Sequence, residues 1–219
     1  MDSLQFLMTW ISTVTPVLPS AGVLRWVQPL FWGVVMAFLV AQVFSRWSVL
    51  VRRTAMVAAF AWAFLPGSLS PTWWLGLAFQ LPSWTTVLLC GAFVFAQWPR
   101  AMRAEPKREG LGFLGWMAIV SGLFLLLDMF ILLPFALYRW GFSALAFSIL
   151  LAIATAVWVA SQNPVQRREA AVALVAMALF VLTRLPTGNV FDALLDPWLW
   201  LVLAFRAARQ AATALKSRL

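Results

Sequence analysis

Residues 125–134 read LLLDMFILLP. Nine of these ten residues are apolar, and the tenth, Asp128, is a carboxylic acid. A carboxylate in such a run needs a partner inside protein, a watery cavity, or a proton of its own. The rest of the chain has the same character. It has 219 residues, 63% hydrophobic and 11% charged, where a soluble domain carries about 45–50% apolar and about 25% charged residues. Seven acidic residues are too few to build a hydrated surface. The composition therefore predicts an all-α polytopic protein of a membrane.

A membrane-crossing helix needs about 20 apolar residues. About seven such transmembrane stretches are expected, near 23–45, 48–66, 72–98, 111–137, 141–160, 169–186 and 190–208, within one transmembrane domain over 21–219. Arg52 and Arg53 reach for headgroups in the second. Gln80-Leu81-Pro82-Ser83 kinks or breaks the third. Ahead of them, MDSLQFLMTWISTVTPVLPS (1–20) sets Asp2, Gln5, Thr9 and Ser12 against Leu4, Leu7, Met8, Ile11 and Val14. That pattern predicts an amphipathic helix lying in the interface, with a short extra span as the alternative.

Charge supports the count. With seven alternating helices, thirteen of the sixteen Lys and Arg residues fall on one side, and only Arg25, Arg139 and Arg184 on the other. Basic loops stay in the cytoplasm, so the N-terminus is expected outside and the C-terminus inside. Seven apolar helices exclude an outer-membrane barrel and point to the inner (cytoplasmic) membrane. Trp26, Trp73, Trp74, Trp140 and Trp198 mark the outer ends, and Trp47, Trp98 and Trp158 the inner ends. Their expected role is anchoring in the headgroup layer. The net charge of +9 belongs to this topology and to anionic lipid rather than to nucleic acid.

Landmarks recur along the chain. Arg25-Trp26 opens span one and Arg139-Trp140 span five. Arg52-Arg53-Thr-Ala-Met-Val-Ala is matched by Arg167-Arg168-Glu-Ala-Ala-Val-Ala. Leu65-Pro66-Gly67 is matched by Leu185-Pro186-Thr187-Gly188, and Trp-Leu-x-Leu-Ala-Phe occurs at 74–79 and 200–205. The candidate repeat is parallel, spans one to three against five to seven, with span four between. This three-plus-one-plus-three plan resembles the SWEET-type sugar carriers in topology alone. No residue motif of that family occurs here.

The polar residues of the outer half are the candidate site. Asp128 lies about 27 Å along its span at about 1.5 Å per residue. Asp192 and Asp196 share a helix face if 190–196 is helical; alternatively Asp196 caps a helix that starts at Pro197. With Arg184 these form a candidate solute or proton site. Arg25 and Arg139 are the candidate ion-pair partners, and ion pairing that merely fixes helix register is the alternative use of the same groups. The chain has no histidine and one cysteine, Cys90. It also lacks the HExxH, GxSxG and phosphate-loop patterns. No catalytic, metal or cofactor site is therefore expected, and the chain is read as a non-enzyme. The first functional expectation is a small-solute carrier working by alternating access. The alternative is an accessory or scaffold subunit of a membrane complex. The partners implied are the lipid bilayer, a small solute or protons, and a membrane-protein partner or a second copy.

Overall fold

The computed structural model describes residues 18–97 and 110–216, with backbone alone at 214–216. The interfacial helix expected over 1–20 and the basic stretch QWPRAMRAEPKREG (97–110) fall almost wholly outside the described residues. The described chain is helical throughout and contains no strand. Ten α-helices follow one another: α1 (Ala21–Val43), α2 (Val49–Trp62), α3 (Pro71–Phe79), α4 (Trp84–Ala96), α5 (Phe113–Met129), α6 (Leu137–Trp140), α7 (Ala144–Ala160), α8 (Pro164–Thr183), α9 (Val190–Leu194) and α10 (Pro197–Lys216).

Apolar runs supply the helix interiors, and short polar side chains set where each begins. Ser20, Ser48, Ser70, Ser83, Ser143, Asn163 and Asn189 each accept a hydrogen bond from the first turn of the helix that follows. Such caps satisfy amides that have no partner within the helix. Helix α5 starts at Gly112, which has no side chain to offer. Its cap comes from elsewhere: Glu169 on α8 accepts from the Gly112 amide at 2.8 Å and the Gly115 amide at 3.1 Å.

Helix α1 packs on α2, α3 and α4; α8 packs on α7, α4, α9 and α5; α10 lies along α5. Two small cores result. Ala37, Ala41 and Met56 join α1 to α2, with Phe93 of α4 against them. Met177, Phe180, Val190 and Ala193 join α8 to α9, with Trp84 and Phe147 against them. Close approach depends on small residues. A β-carbon on Gly33 would lie 3.0 Å from the Phe60 ring, and one on Gly122 would run into Trp200.

The element order recurs. A long pair (α1–α2, α7–α8) is followed by a short helix (α3, α9), a break, and a longer helix (α4, α10). The packing does not recur, since α4 returns to α1 while α10 lies on α5.

The helices are shorter than the expected spans. By length and composition one helical segment, Ala21–Arg46, is long and apolar enough to cross a membrane; Trp84–Ala96, Phe113–Met129 and Ala144–Ala160 are apolar but shorter. The stretch 72–98 is broken by non-helical backbone at Gln80–Ser83, where Gln80 takes φ 58°. The stretch 190–208 is broken at Leu195 and Asp196, and 169–186 begins earlier, at Pro164. The stretch 111–137 stops at Met129 for a local reason. Ile131 adopts a left-handed φ of 58°, its amide bonds to the Asp128 carbonyl at 2.9 Å, and the Leu132 amide bonds to the Leu127 carbonyl at 3.0 Å. These two bonds form a Schellman ending, normally built on glycine.

A β-branched residue is strained in that conformation, by about 1–2 kcal/mol for the left-handed region. The Ile131 side chain is 88% exposed, so little packing offsets the strain. Ile131→Gly should raise stability by up to about 1 kcal/mol, after the glycine's extra unfolded-state entropy is subtracted. Reversible denaturation in mild detergent reads this, and a lower midpoint in the variant would contradict the assignment.

Candidate functional site

Asp196 sits where two helices begin. Its Oδ1 accepts from the Leu199 amide at 2.7 Å, capping α10 behind Pro197. Its Oδ2 accepts from the Ser83 amide at 2.9 Å and from the Thr86 hydroxyl at 2.5 Å, at the start of α4. Ser83, Thr86 and Asp196 are all buried. The cap reading of Asp196 is therefore the one the structure adopts. Asp192 and Asp196 do not share a helix face, because α9 ends at Leu194.

The other two carboxylates belong to a second knot. Asp128, at the end of α5, accepts through Oδ2 from the Tyr138 amide at 2.7 Å. Asp192, on α9, accepts through Oδ2 from the Tyr138 hydroxyl at 2.6 Å and from the Thr187 hydroxyl. Asn189 caps α9 with its Oδ1 and donates through Nδ2 to the Tyr138 carbonyl at 2.8 Å. The Val190 amide donates to the Gly141 carbonyl at 2.9 Å. These bonds tie the segment around α6 to the segment 187–192. Burial pushes the Tyr138 phenol up to about 12, and its hydrogen bond to the Asp192 carboxylate pushes the same way.

Asp128, Asp192 and Asp196 line a single cavity of about 920 Å³, together with Gln80, Tyr138, Arg139 and Thr187. This falls in the range of about 300–1,000 Å³ usual for small-molecule sites. The cavity lies against the broken helix at Gln80–Leu81 and the irregular stretch 131–136. The remaining oxygens of Asp128 and Asp192, Oδ1 in each, accept no hydrogen bond from a described residue. The three carboxylates do not converge on a point. Among the described residues no group of three His, Cys, Asp or Glu side chains is placed to hold a metal ion.

The expected ion pairs are absent from this arrangement. Asp128, Asp192 and Asp196 are held by amides and hydroxyls, and among the described residues none of them bonds to Arg25, Arg139 or Arg184. Neutral donors from the same chain reach these carboxylates without the cost of desolvating a guanidinium. Arg139 does line the cavity. Arg184 does not. It ends α8 in a left-handed conformation (φ 56°), with its guanidinium over the Phe180 ring. Arg25 is exposed in the first turns of α1.

Several contributors carry weak sequence signals. Tyr138 is the chain's only tyrosine. Ser83 and Thr86 have the three-residue spacing of a capping pair. Glu169 is an isolated acid behind two arginines. Trp32, Trp84 and Trp200 are tied to the chain itself: their indole N–H groups donate to the Gln80 carbonyl, the Thr183 hydroxyl and the Ile119 carbonyl.

Two results follow from this geometry. Asp196→Ala strips three donors of their acceptor at two helix starts, and should cost about 2–4 kcal/mol. Asp128→Asn touches one exposed bond and should cost less than about 1 kcal/mol. Equal losses in a denaturation series would contradict the difference drawn between them. Because Tyr138 is the only tyrosine, alkaline titration of phenolate absorbance reads it alone. The expected midpoint is near 12, against an ordinary value of 10.0. The proton is held more tightly in the fold. The stability this adds is therefore intact below pH 10 and is lost as pH rises through the folded value. A midpoint at the ordinary value would show that the hydroxyl is not engaged.

No known protein family, no curated protein and no solved structure matches the chain.

Proposed function

We propose that this chain is a multi-pass protein of the cytoplasmic membrane that carries a small solute, with the carboxylate-lined cavity as the outward-facing site. The membrane reading rests on what the helices expose. Trp26 (74%), Phe95 (79%), Met129 (79%) and Leu182 (80%) stand out from the bundle, with many other large apolar side chains along it. In water an apolar surface of that extent is rare, since contiguous patches on soluble monomers rarely exceed a few hundred Å².

Charge gives the sidedness. Arg53 donates to the Gln97 carbonyl at 2.9 Å, and Glu169 caps α5. The starts of α2, α5 and α8 and the end of α4 therefore meet at one end, with Arg46, Arg52, Arg167 and Arg168. Arg25, Arg139 and Arg184 lie toward the other end, where the cavity is. The positive-inside rule puts the cation-rich end in the cytoplasm, the N-terminus outside and the cavity on the outer side.

The observation that carries the carrier reading is the cavity itself. Three carboxylates, Asp128 and the nearby Asp192 and Asp196, line it, two keep an oxygen that no described residue bonds, and non-helical backbone at Gln80–Leu81 and 131–136 forms part of its wall. Irregular backbone at membrane depth is tolerated where it lines a cavity. The recurring order of long pair, short helix, break and long helix fits two units that rock about a central site. Asp128 and Asp192 are the proton- or cation-responsive groups. Asp196 holds the breaks in place. A second reading, an accessory subunit, draws on a different observation: each carboxylate of the cavity is already bonded to the chain's own donors, while the exposed apolar flanks suit partner helices.

The test begins with a thermal-shift screen of small organic cations and neutral polar solutes, followed by counterflow of the binders in vesicles. A ligand at 100 times its Kd adds about 2.7 kcal/mol. The expected result is a binder whose shift and counterflow are lost in Asp128→Asn at normal protein levels. Counterflow retained in that variant removes Asp128 from the mechanism. A stoichiometric partner in native mass spectrometry, stripped by strong detergent with loss of the fold, replaces the carrier with the accessory subunit.

A further inference from the structure

A second chamber of about 350 Å³ lies deeper in the bundle, between α4, α5, α7, α8 and α10. It begins at Gly110, Arg168, Glu169 and Arg206, at the cation-rich end. It runs along α5 from Leu114 to Leu125, about 16 Å at about 1.5 Å per residue. Its wall is almost wholly aliphatic, with Met117, Leu150, Ile153, Met177 and Leu203 among its residues. Thr85 and Ser121 are the hydroxyl residues lining it, and the buried Thr85 hydroxyl has no hydrogen-bond partner.

Leu125 and Leu195 line both this chamber and the carboxylate cavity. The two spaces meet at these side chains. Leu125 projects from α5, one turn before Asp128. Leu195 sits in the break between α9 and α10, beside Asp196. Both side chains are thus wall residues of the outer cavity and of the inner chamber.

We propose that the two spaces form one interrupted path across the bundle, with Leu125 and Leu195 as its partition, and that the solute crossing it is an amphiphile whose apolar body occupies the inner chamber. This deepens the carrier reading and rests on it. Past the charged residues at its cation-rich end, a sugar or inorganic ion in the inner chamber would shed water and meet few polar groups, which is costly. An alkyl or aryl body loses nothing there. Leucine side chains suit a partition that opens by rotamer change, because they seal by packing and hold no fixed bond.

The experiment uses the full chain with Cys90→Ala and a single reporter cysteine, Ser121→Cys, inside the inner chamber. Labelling by a small, charged, membrane-impermeant thiol reagent is followed in right-side-out and inside-out vesicles. Ile131→Cys in a parallel sample marks the side on which the outer cavity opens. From that side, Leu125→Ala with Leu195→Ala should raise the labelling rate of the reporter at least tenfold. Submicellar dodecyltrimethylammonium should slow labelling in the parent, whereas choline should not. An unchanged rate in the double variant overturns the path, and equal protection by choline overturns the amphiphile. If the double variant does not fold, Leu195→Phe tests the same contact in reverse and should lower the rate several-fold; no change there is equally fatal. Labelling reads the path independently of turnover. A path that opens as expected alongside failed counterflow would count against the carrier reading alone. Counterflow that depends on Asp128 with no response at position 121 would count against the path alone.

Discussion

The fold turns on one carboxylate placed between two helix beginnings. Asp196 receives the Ser83 amide and Thr86 hydroxyl of α4 and the Leu199 amide of α10. Each helix start carries roughly half a positive charge and amides without partners. Where such amides are buried, a side-chain acceptor has to satisfy them. The Asp196 side chain meets both helix starts at once, and it joins segments 113 residues apart. The breaks at Gln80–Ser83 and Leu195–Asp196 are stable because of this bond set. The breaks in turn shape the cavity wall, in which Leu195 is a residue shared with the second chamber.

The same device recurs with different residues. Glu169 caps α5 from α8, Asp128 caps the turn at Tyr138, and Asn189 caps α9 while holding the Tyr138 carbonyl. The acids inside the described bundle are used on backbone amides and hydroxyls, while Arg25 and Arg139 stay exposed. This division follows from desolvation. An amide donor next to a carboxylate costs little to bury, whereas a guanidinium must give up its own hydration. It also answers why Asp128 stands in an apolar run. One carboxylate oxygen holds the Tyr138 amide, and the residue lines a cavity.

Much of the secondary structure is legible in the sequence because its signals are local. The helical class follows from apolar runs, the break at 80–83 from Gln-Leu-Pro-Ser, and the α10 start from Asp196-Pro197. The end of α5 is not legible. A left-handed ending normally announces itself with glycine, and here isoleucine occupies that position. Arg184 misleads in the same way: it has the charge expected of a site residue but serves as the left-handed end of α8. The meeting of Asp128, Asp192 and Asp196 at one cavity is foreseeable only as three acids toward one side. Two of their partners, Leu199 and Thr187, are within five residues, but the others lie ten to more than a hundred residues away and depend on tertiary packing. The expectation of ion pairs fails because sequence shows which charges share a side, not which neutral donors reach them first.

The claim beneath the rest is that the described helices cross a bilayer, with the cavity at one face and the cations at the other. Single cysteines placed in a Cys90→Ala chain at Arg139 and Ile131, beside the cavity, and at Arg46 and Arg167, at the cation-rich end, test it directly in intact cells. An impermeant thiol reagent applied from outside should label the first pair at once and the second pair only after the membrane is permeabilised. Equal labelling of all four before permeabilisation, or recovery of the chain in the soluble fraction, would contradict the account.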